Sequence, residues 1–195
     1  MINIQQQYHH QQQQDRPLVL IAGGGPAGLL QAILLDKIGV DSIVVERTKE
    51  PDEWNSKSYT LVLGDKGKDA LQRAGCLDAA LEVGTQRRFI YLYDGRSGDL
   101  KPILKQSYGL GLTRHRLVEF LENVVMHCPR VTLKKGSGVS SVAKEENSFL
   151  AVTLEDGSVL TASHVIGADG KWSRIRESFP ELRSQWLHAL RLAYT

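Results

Sequence analysis

Six residues between two apolar stretches limit what this chain can become: Gly23-Gly24-Gly25-Pro26-Ala27-Gly28. Before them runs Leu18-Val19-Leu20-Ile21-Ala22, apolar without alternation, the pattern of a strand covered on both faces of a parallel sheet. After them residues 26–38 read as a helix, with proline near its start, apolar residues at helical spacing and Gly39 as its stop. Ser42-Ile43-Val44-Val45 reads as a second buried strand, ending at Glu46. Together they form a βαβ unit of about 30 residues. Over residues 18–35 only Gln31 is clearly polar, which a hydropathy window would score as a membrane span. The glycines and Pro26 interrupt that run after five or six residues, so no span is expected.

The glycine run fits G-x-G-x-x-G and stands where that pattern has a physical use, between a strand and a helix. The first glycine makes the turn, the second lets a pyrophosphate approach the backbone, and the third lets helix and strand pack closely. The helix start adds unpaired N–H groups and the positive end of the helix dipole. Gly23, Gly25, Pro26, Ala27 and Gly28 are therefore candidate cofactor-binding residues. Glu46, 18 residues beyond Gly28, is placed to accept hydrogen bonds from an adenosine ribose and to repel a 2′-phosphate. That suits NAD or FAD, and the fingerprint does not separate the two. The plainer alternative is a structural glycine turn. No Tyr-x-x-x-Lys occurs, against a short-chain dehydrogenase, and no G-x-x-x-x-G-K-[ST], which excludes a P-loop nucleotidase.

The rest of the 195 residues suggests an α/β chain of ordinary globular composition. Twenty-four Lys and Arg against 22 Asp and Glu leave a net charge of +2, too balanced for a nucleic-acid or membrane-surface partner. Two cysteines without CxxC spacing and six scattered histidines point to neither a disulfide framework, a metal site nor a triad. Residues 1–16, with seven glutamines, are expected to be a disordered arm. The arm lacks the apolar core of a secretory signal, and an intracellular, reducing location is expected. Further along, a strand is expected at 59–63, helices at 65–74 and 77–83 closed by Gly75 and Gly84, and β-rich sequence at 88–93 before a turn at 94–98. Thr113 can cap a helix to about residue 127. Strands follow at 131–134, 139–143, 148–154, 158–162 and 164–166, the third and fourth joined through Glu155-Asp156-Gly157, and then a short helix at 172–178.

A second motif follows that last strand. Val165-Ile166-Gly167-Ala168-Asp169-Gly170-Lys171-Trp172-Ser173-Arg174-Ile175-Arg176 resembles the Asp-Gly motif of class A FAD-dependent monooxygenases, the p-hydroxybenzoate hydroxylase type. The match rests on Gly167, Asp169, Gly170, Ser173 and Arg176. The first motif, Glu46-Arg47 and the second motif come in that family's order and spacing. Ser58 to Leu63, with Gly67 and Ala70-Leu71, is similar to kynurenine 3-monooxygenase and its relatives. Thr113-Arg114-His115-Arg116-Leu117 resembles the family's R-x-x-L helix start.

The resemblance implies a Rossmann-like FAD-binding fold: a parallel sheet with a crossover helix and an antiparallel β-meander. It implies FAD as cofactor, NAD(P)H as co-substrate and hydroxylation of a small organic, often aromatic, substrate. It adds Arg47, Arg114, Val139 (through its backbone), Asp169 and Gly170 as cofactor-binding candidates, and it supplies no catalytic residue here. On the residues alone Val139 reads as a core strand residue and Arg114 as a solvated first-turn residue. Arg88 stands where kynurenine-type relatives hold a substrate carboxylate, although a surface strand arginine is the plainer reading; Ile103 after Pro102 replaces their tyrosine. The resemblance covers about residues 17–179, essentially the N-terminal half of such enzymes, with residues 180–195 an atypical tail. The later Gly-Asp motif of the family is absent, so the expectation is a truncated FAD-binding domain, inactive by itself. The alternatives are an NAD-dependent dehydrogenase, which leaves the second motif unexplained, and a non-catalytic dinucleotide-binding fragment.

Overall fold

A computed structural model of the chain describes residues 18–49, 59–145 and 149–179. Strand β1 (Val19–Ala22) is buried at every position, as its unbroken apolar run requires. Helix α1 (Pro26–Lys37) carries proline in its first turn, where the missing N–H breaks no helical bond. It ends at Gly39 (φ +79°), whose N–H donates to the Asp36 carbonyl at 3.0 Å. Strand β2 (Ser42–Glu46) completes the βαβ unit. There follow β3 (Thr60–Leu63), α2 (Asp65–Ala74), α3 (Leu77–Val83), β4 (Thr85–Tyr93), β5 (Leu100–Thr113) and α4 (Arg114–Val125). The remainder is β6 (Val131–Lys135), β7 (Val139–Lys144), β8 (Leu150–Leu154), β9 (Val159–Ala162), β10 (His164–Gly167) and a short α5 (Arg174–Ser178). The glutamine-rich arm, Ser58, Ser148 and the 180–195 tail lie outside the described residues.

The described residues fall into two compact units, 18–49 with 128–179 and 59–127. The first holds a parallel sheet in the order β10-β1-β2-β6 and an antiparallel meander β7-β8-β9. Leu20, Ala22 and Val45 pack from one face of the parallel sheet into a core with Val142, Val152, Leu154 and Ile175. Ile21 turns to the opposite face, toward Gly28 of α1. In register, Ala22 lies opposite Val45 on one side and Gly167 on the other. The carboxyl ends of β1, β2 and β10 therefore reach one edge together, the edge where open α/β sheets bind ligands.

The second unit is an antiparallel sheet, β3-β5-β4, with α2, α3 and α4. Helix α2 ends at Gly75 in the left-handed region (φ +77°), as expected. Gly84 also ends its helix but in extended backbone, and a Cβ there would strike the Leu110 side chain; it provides room, not a left-handed cap. Strand β4 is exposed along its whole length, with Phe89, Ile90, Tyr91, Leu92 and Tyr93 open on both faces and Leu100 and Ile103 beside them on β5.

The expected elements are present with shifted ends: β4 begins at Thr85, β7 runs on to Lys144, and α5 starts at Arg174 because Ser173 caps it. The addition is β5, fourteen residues for which the sequence pattern predicts no strand. Pro102 lowers the strand signal, yet where it pairs with Tyr91 the strand β3 is not alongside, since β3 meets only residues 110–113. A strand with one open side tolerates proline.

Candidate functional site

The glycine turn is built by close approaches that side chains would block. Gly23 has φ +106°, and a Cβ on it would press on the Ala168 carbonyl and Asp169 Cα. Its N–H donates to the Val45 carbonyl at 2.8 Å, which ties the turn to the end of β2. A Cβ on Gly28 would collide with the Gly23 carbonyl, so the third glycine lets α1 start against the turn itself. The first bond within α1 runs from the Leu29 N–H to the Gly25 carbonyl at 3.0 Å, so the N–H groups of the turn before it face the helix mouth. Gly25 is its N-cap, Pro26 occupies the first turn and Ala27 is exposed there.

Glu46 stands directly beside this turn. Its Oε2 accepts the Gly24 N–H at 2.6 Å and its Oε1 accepts the Thr48 N–H at 2.9 Å. A Cβ on Gly24 would lie 2.8 Å from the Glu46 Cβ, so only glycine leaves the carboxylate in place. The motif treats position 24 as free; the structure makes it a fourth required glycine. Each carboxylate oxygen keeps a second lone-pair direction for a ligand hydroxyl. Donors at the helix mouth and a fixed acceptor beside them fit the pyrophosphate and ribose of a dinucleotide.

The second motif folds against the first. The Ala168 N–H donates to the Ala22 carbonyl at 2.7 Å, and the loop turns through Gly170 at φ +78°. Asp169 Oδ2 accepts the N–H groups of Arg174 (2.7 Å) and Ile175 (3.2 Å), while Ser173 Oγ accepts that of Arg176 at 3.1 Å. The Arg176 guanidinium donates back to the Gly170 and Lys171 carbonyls. In this structure Asp169, Ser173 and Arg176 shape the loop, and Asp169 joins the Ser173 cap in accepting the first N–H groups of α5. Trp172, at its tip, is 80% exposed.

The remaining candidates divide. Val139 is buried at the start of β7 with its side chain in the core, which leaves only its backbone for a ligand. Arg47 is exposed and paired with Glu155. Arg114 belongs to the other unit: it opens α4, is half-buried, and its N–H donates to the Tyr59 carbonyl at 2.9 Å, with Thr113 capping the helix as expected. Glu155 and Gly24 were not among the residues singled out from sequence. Nothing local marks Glu155 beyond its hairpin turn, because its partner Arg47 is 108 residues away. Among the described residues no cluster of His, Cys, Asp and Glu is placed to hold a metal, and no helix is long and apolar enough to cross a membrane.

A parallel βαβ sheet with this glycine turn, an acidic residue closing its second strand and a second loop at the same edge defines a Rossmann-like dinucleotide-binding protein. Residues 17–186 match the FAD binding domain family, and the chain belongs to it. FAD is therefore the dinucleotide, which resolves the choice left open by the fingerprint. The FAD-dependent monooxygenase spyC of Aspergillus fumigatus is 31% identical over 165 residues, 81% of this chain and 34% of its own length. The 6-methylpretetramide 4-monooxygenase of Streptomyces rimosus is 30% identical over 171 residues, 82% of this chain and 40% of its own. The tetrameric form of 2-methyl-3-hydroxypyridine-5-carboxylic acid oxygenase superposes with a TM-score of 0.71 at 25% identity, over 84% of this chain and 42% of that one. The chain thus spans about two fifths or less of these proteins' lengths.

Proposed function

We propose that this chain is the FAD-holding portion of an NAD(P)H-driven monooxygenase acting on a small organic molecule. The observation that carries the reading is the Glu46 carboxylate bonded to the Gly24 N–H at the mouth of α1, with the Asp-Gly loop against the same turn. The N–H groups at the helix mouth hold the pyrophosphate, and Glu46 holds the adenosine ribose. Backbone at Val139 serves the adenine, and the loop at Asp169 and Gly170 borders the pyrophosphate. Arg47 and Arg114 are assigned to the cofactor by resemblance. Bound FAD supplies the redox chemistry, and the protein binds and orients it. The finer assignment is a kynurenine-type enzyme in which Arg88 meets a substrate carboxylate. It is supported by the irregularity in β4 between Arg87 and Phe89, since such bulges re-aim side chains.

The test is titration of the purified protein with FAD, followed by flavin fluorescence and visible absorbance. One FAD per chain, displaced by ADP but not by nicotinamide mononucleotide, is expected. Binding of NAD with no binding of FAD would overturn the proposal.

A further inference from the structure

Arg47 follows directly on the ribose-side glutamate, and its guanidinium is already engaged. Its Nε donates to Glu155 Oε2 at 3.1 Å and a terminal nitrogen lies 2.7 Å from Oε1, a two-point grip. Glu155 is itself held in place: Oε2 also accepts the Gly138 N–H at 3.1 Å, and its own N–H donates to the Gly138 carbonyl at 2.9 Å. The Glu46 carbonyl accepts the Gly136 N–H at 2.8 Å, which fastens the same turn to the end of β2. Glu46, Arg47, residues 136–138 and Glu155 thus form one hydrogen-bonded assembly. On β6, Lys134 is 3.9 Å from Asp156, and Lys135 stands in register with Glu46.

An arginine near the ribose site is the group that accommodates a 2′-phosphate in NADP-type folds. Here that arginine is gripped by a carboxylate that the backbone fixes, so Arg47 is held away from offsetting the charge of Glu46 on the 2′ side of the ribose. We propose that Glu155 is a specificity-determining residue of the adenosine site, keeping 2′-phosphorylated adenosines out by holding Arg47. The proposal rests on the dinucleotide reading above.

The experiment compares two ligands that differ only at the 2′ position, ADP-ribose and 2′-phospho-ADP-ribose. Both are titrated calorimetrically into the unsubstituted protein, Glu155→Gln, Glu155→Asp, Arg47→Ala and the Glu155→Gln/Arg47→Ala double variant. The readout is the ratio of the two affinities, which general loosening of the fold would leave alone. The pair is 64% and 39% exposed, so the expected change is modest: Glu155→Gln narrows the preference for ADP-ribose about fivefold at low salt. Glu155→Asp keeps most of the preference, added salt shrinks the change, and Glu155→Gln has no effect on the ratio once Arg47 is alanine. An unchanged ratio in Glu155→Gln, with ADP-ribose still bound, would overturn the role of Glu155 alone. Failure of the unsubstituted protein to bind either ADP-ribose or FAD would overturn the dinucleotide reading and this proposal with it.

Discussion

Glu46 works at two distances: its carboxylate grips the Gly24 N–H across the site and the Thr48 N–H next door. Pinned twice, it would meet the proposed ribose without first losing rotamer freedom. Replacing it with alanine should weaken FAD binding roughly 10- to 150-fold, the range for hydrogen bonds to a charged group of about 1.5–3 kcal/mol. Fluorescence titration checks this, and unchanged affinity would remove Glu46 from the site. Gly24→Ala should lower affinity in the same direction while leaving Glu46 present, because the new methyl presses on the Glu46 Cβ and Cγ and displaces the side chain that carries the carboxylate. The motif made Glu46 and the outer glycines legible in sequence. Gly24 was not, since its constraint comes from a side chain 22 residues away.

Among the elements, α1 depends most on one contact, the approach of Gly28 to the Gly23 carbonyl. Gly28→Ala should cost about 1–3 kcal/mol by overpacking, read as a lower urea midpoint. At the β8–β9 turn, the hydroxyl and N–H of Ser158 hold the Asp156 carboxyl below its ordinary value. A depressed carboxyl stabilises the fold above its unfolded pKa and loses that contribution as pH falls through its folded one. The turn should therefore loosen on acidification, seen as faster amide exchange around residues 155–158, and Asp156→Asn should abolish that pH dependence. Strands β1 and β2 were legible because buried parallel strands are continuous apolar runs. Strand β10, which its apolar run marks as equally buried, is only half-buried at Val165 and Ile166 and exposed at both ends, because it lies at the edge of the sheet. Strand β5 was hidden by Gly109 and Gly111, whose missing side chains leave room for Val62 and Arg87 on the neighbouring strands. A single strand's sequence does not carry that information.

At the scale of the whole molecule, the described residues carry an exposed aromatic and aliphatic strip on β4 and β5, unlike an ordinary surface. The purified protein should bind a hydrophobic dye and self-associate, and the combined change Phe89→Ser, Tyr91→Ser should reduce both without altering FAD affinity. Sedimentation and dye fluorescence check this. The fold class was readable because one βαβ unit and one loop motif carry it; the joining of Arg47 to Glu155 was not, because it depends on where the meander returns. That return also has a cost in time. Leu18 is bonded by Ser163, 145 residues later, and β1 lies between β2 and β10. At about 5–20 residues per second, a ribosome needs about 7 to 30 seconds to deliver the missing neighbour. Through that interval a fully apolar strand has one edge open, and the Asp-Gly loop that packs against the glycine turn does not exist. FAD is thus a late arrival that can trap the finished sheet but cannot guide its early assembly. Yield during synthesis should depend on chaperones holding the first strands and on how quickly residues 128–179 emerge.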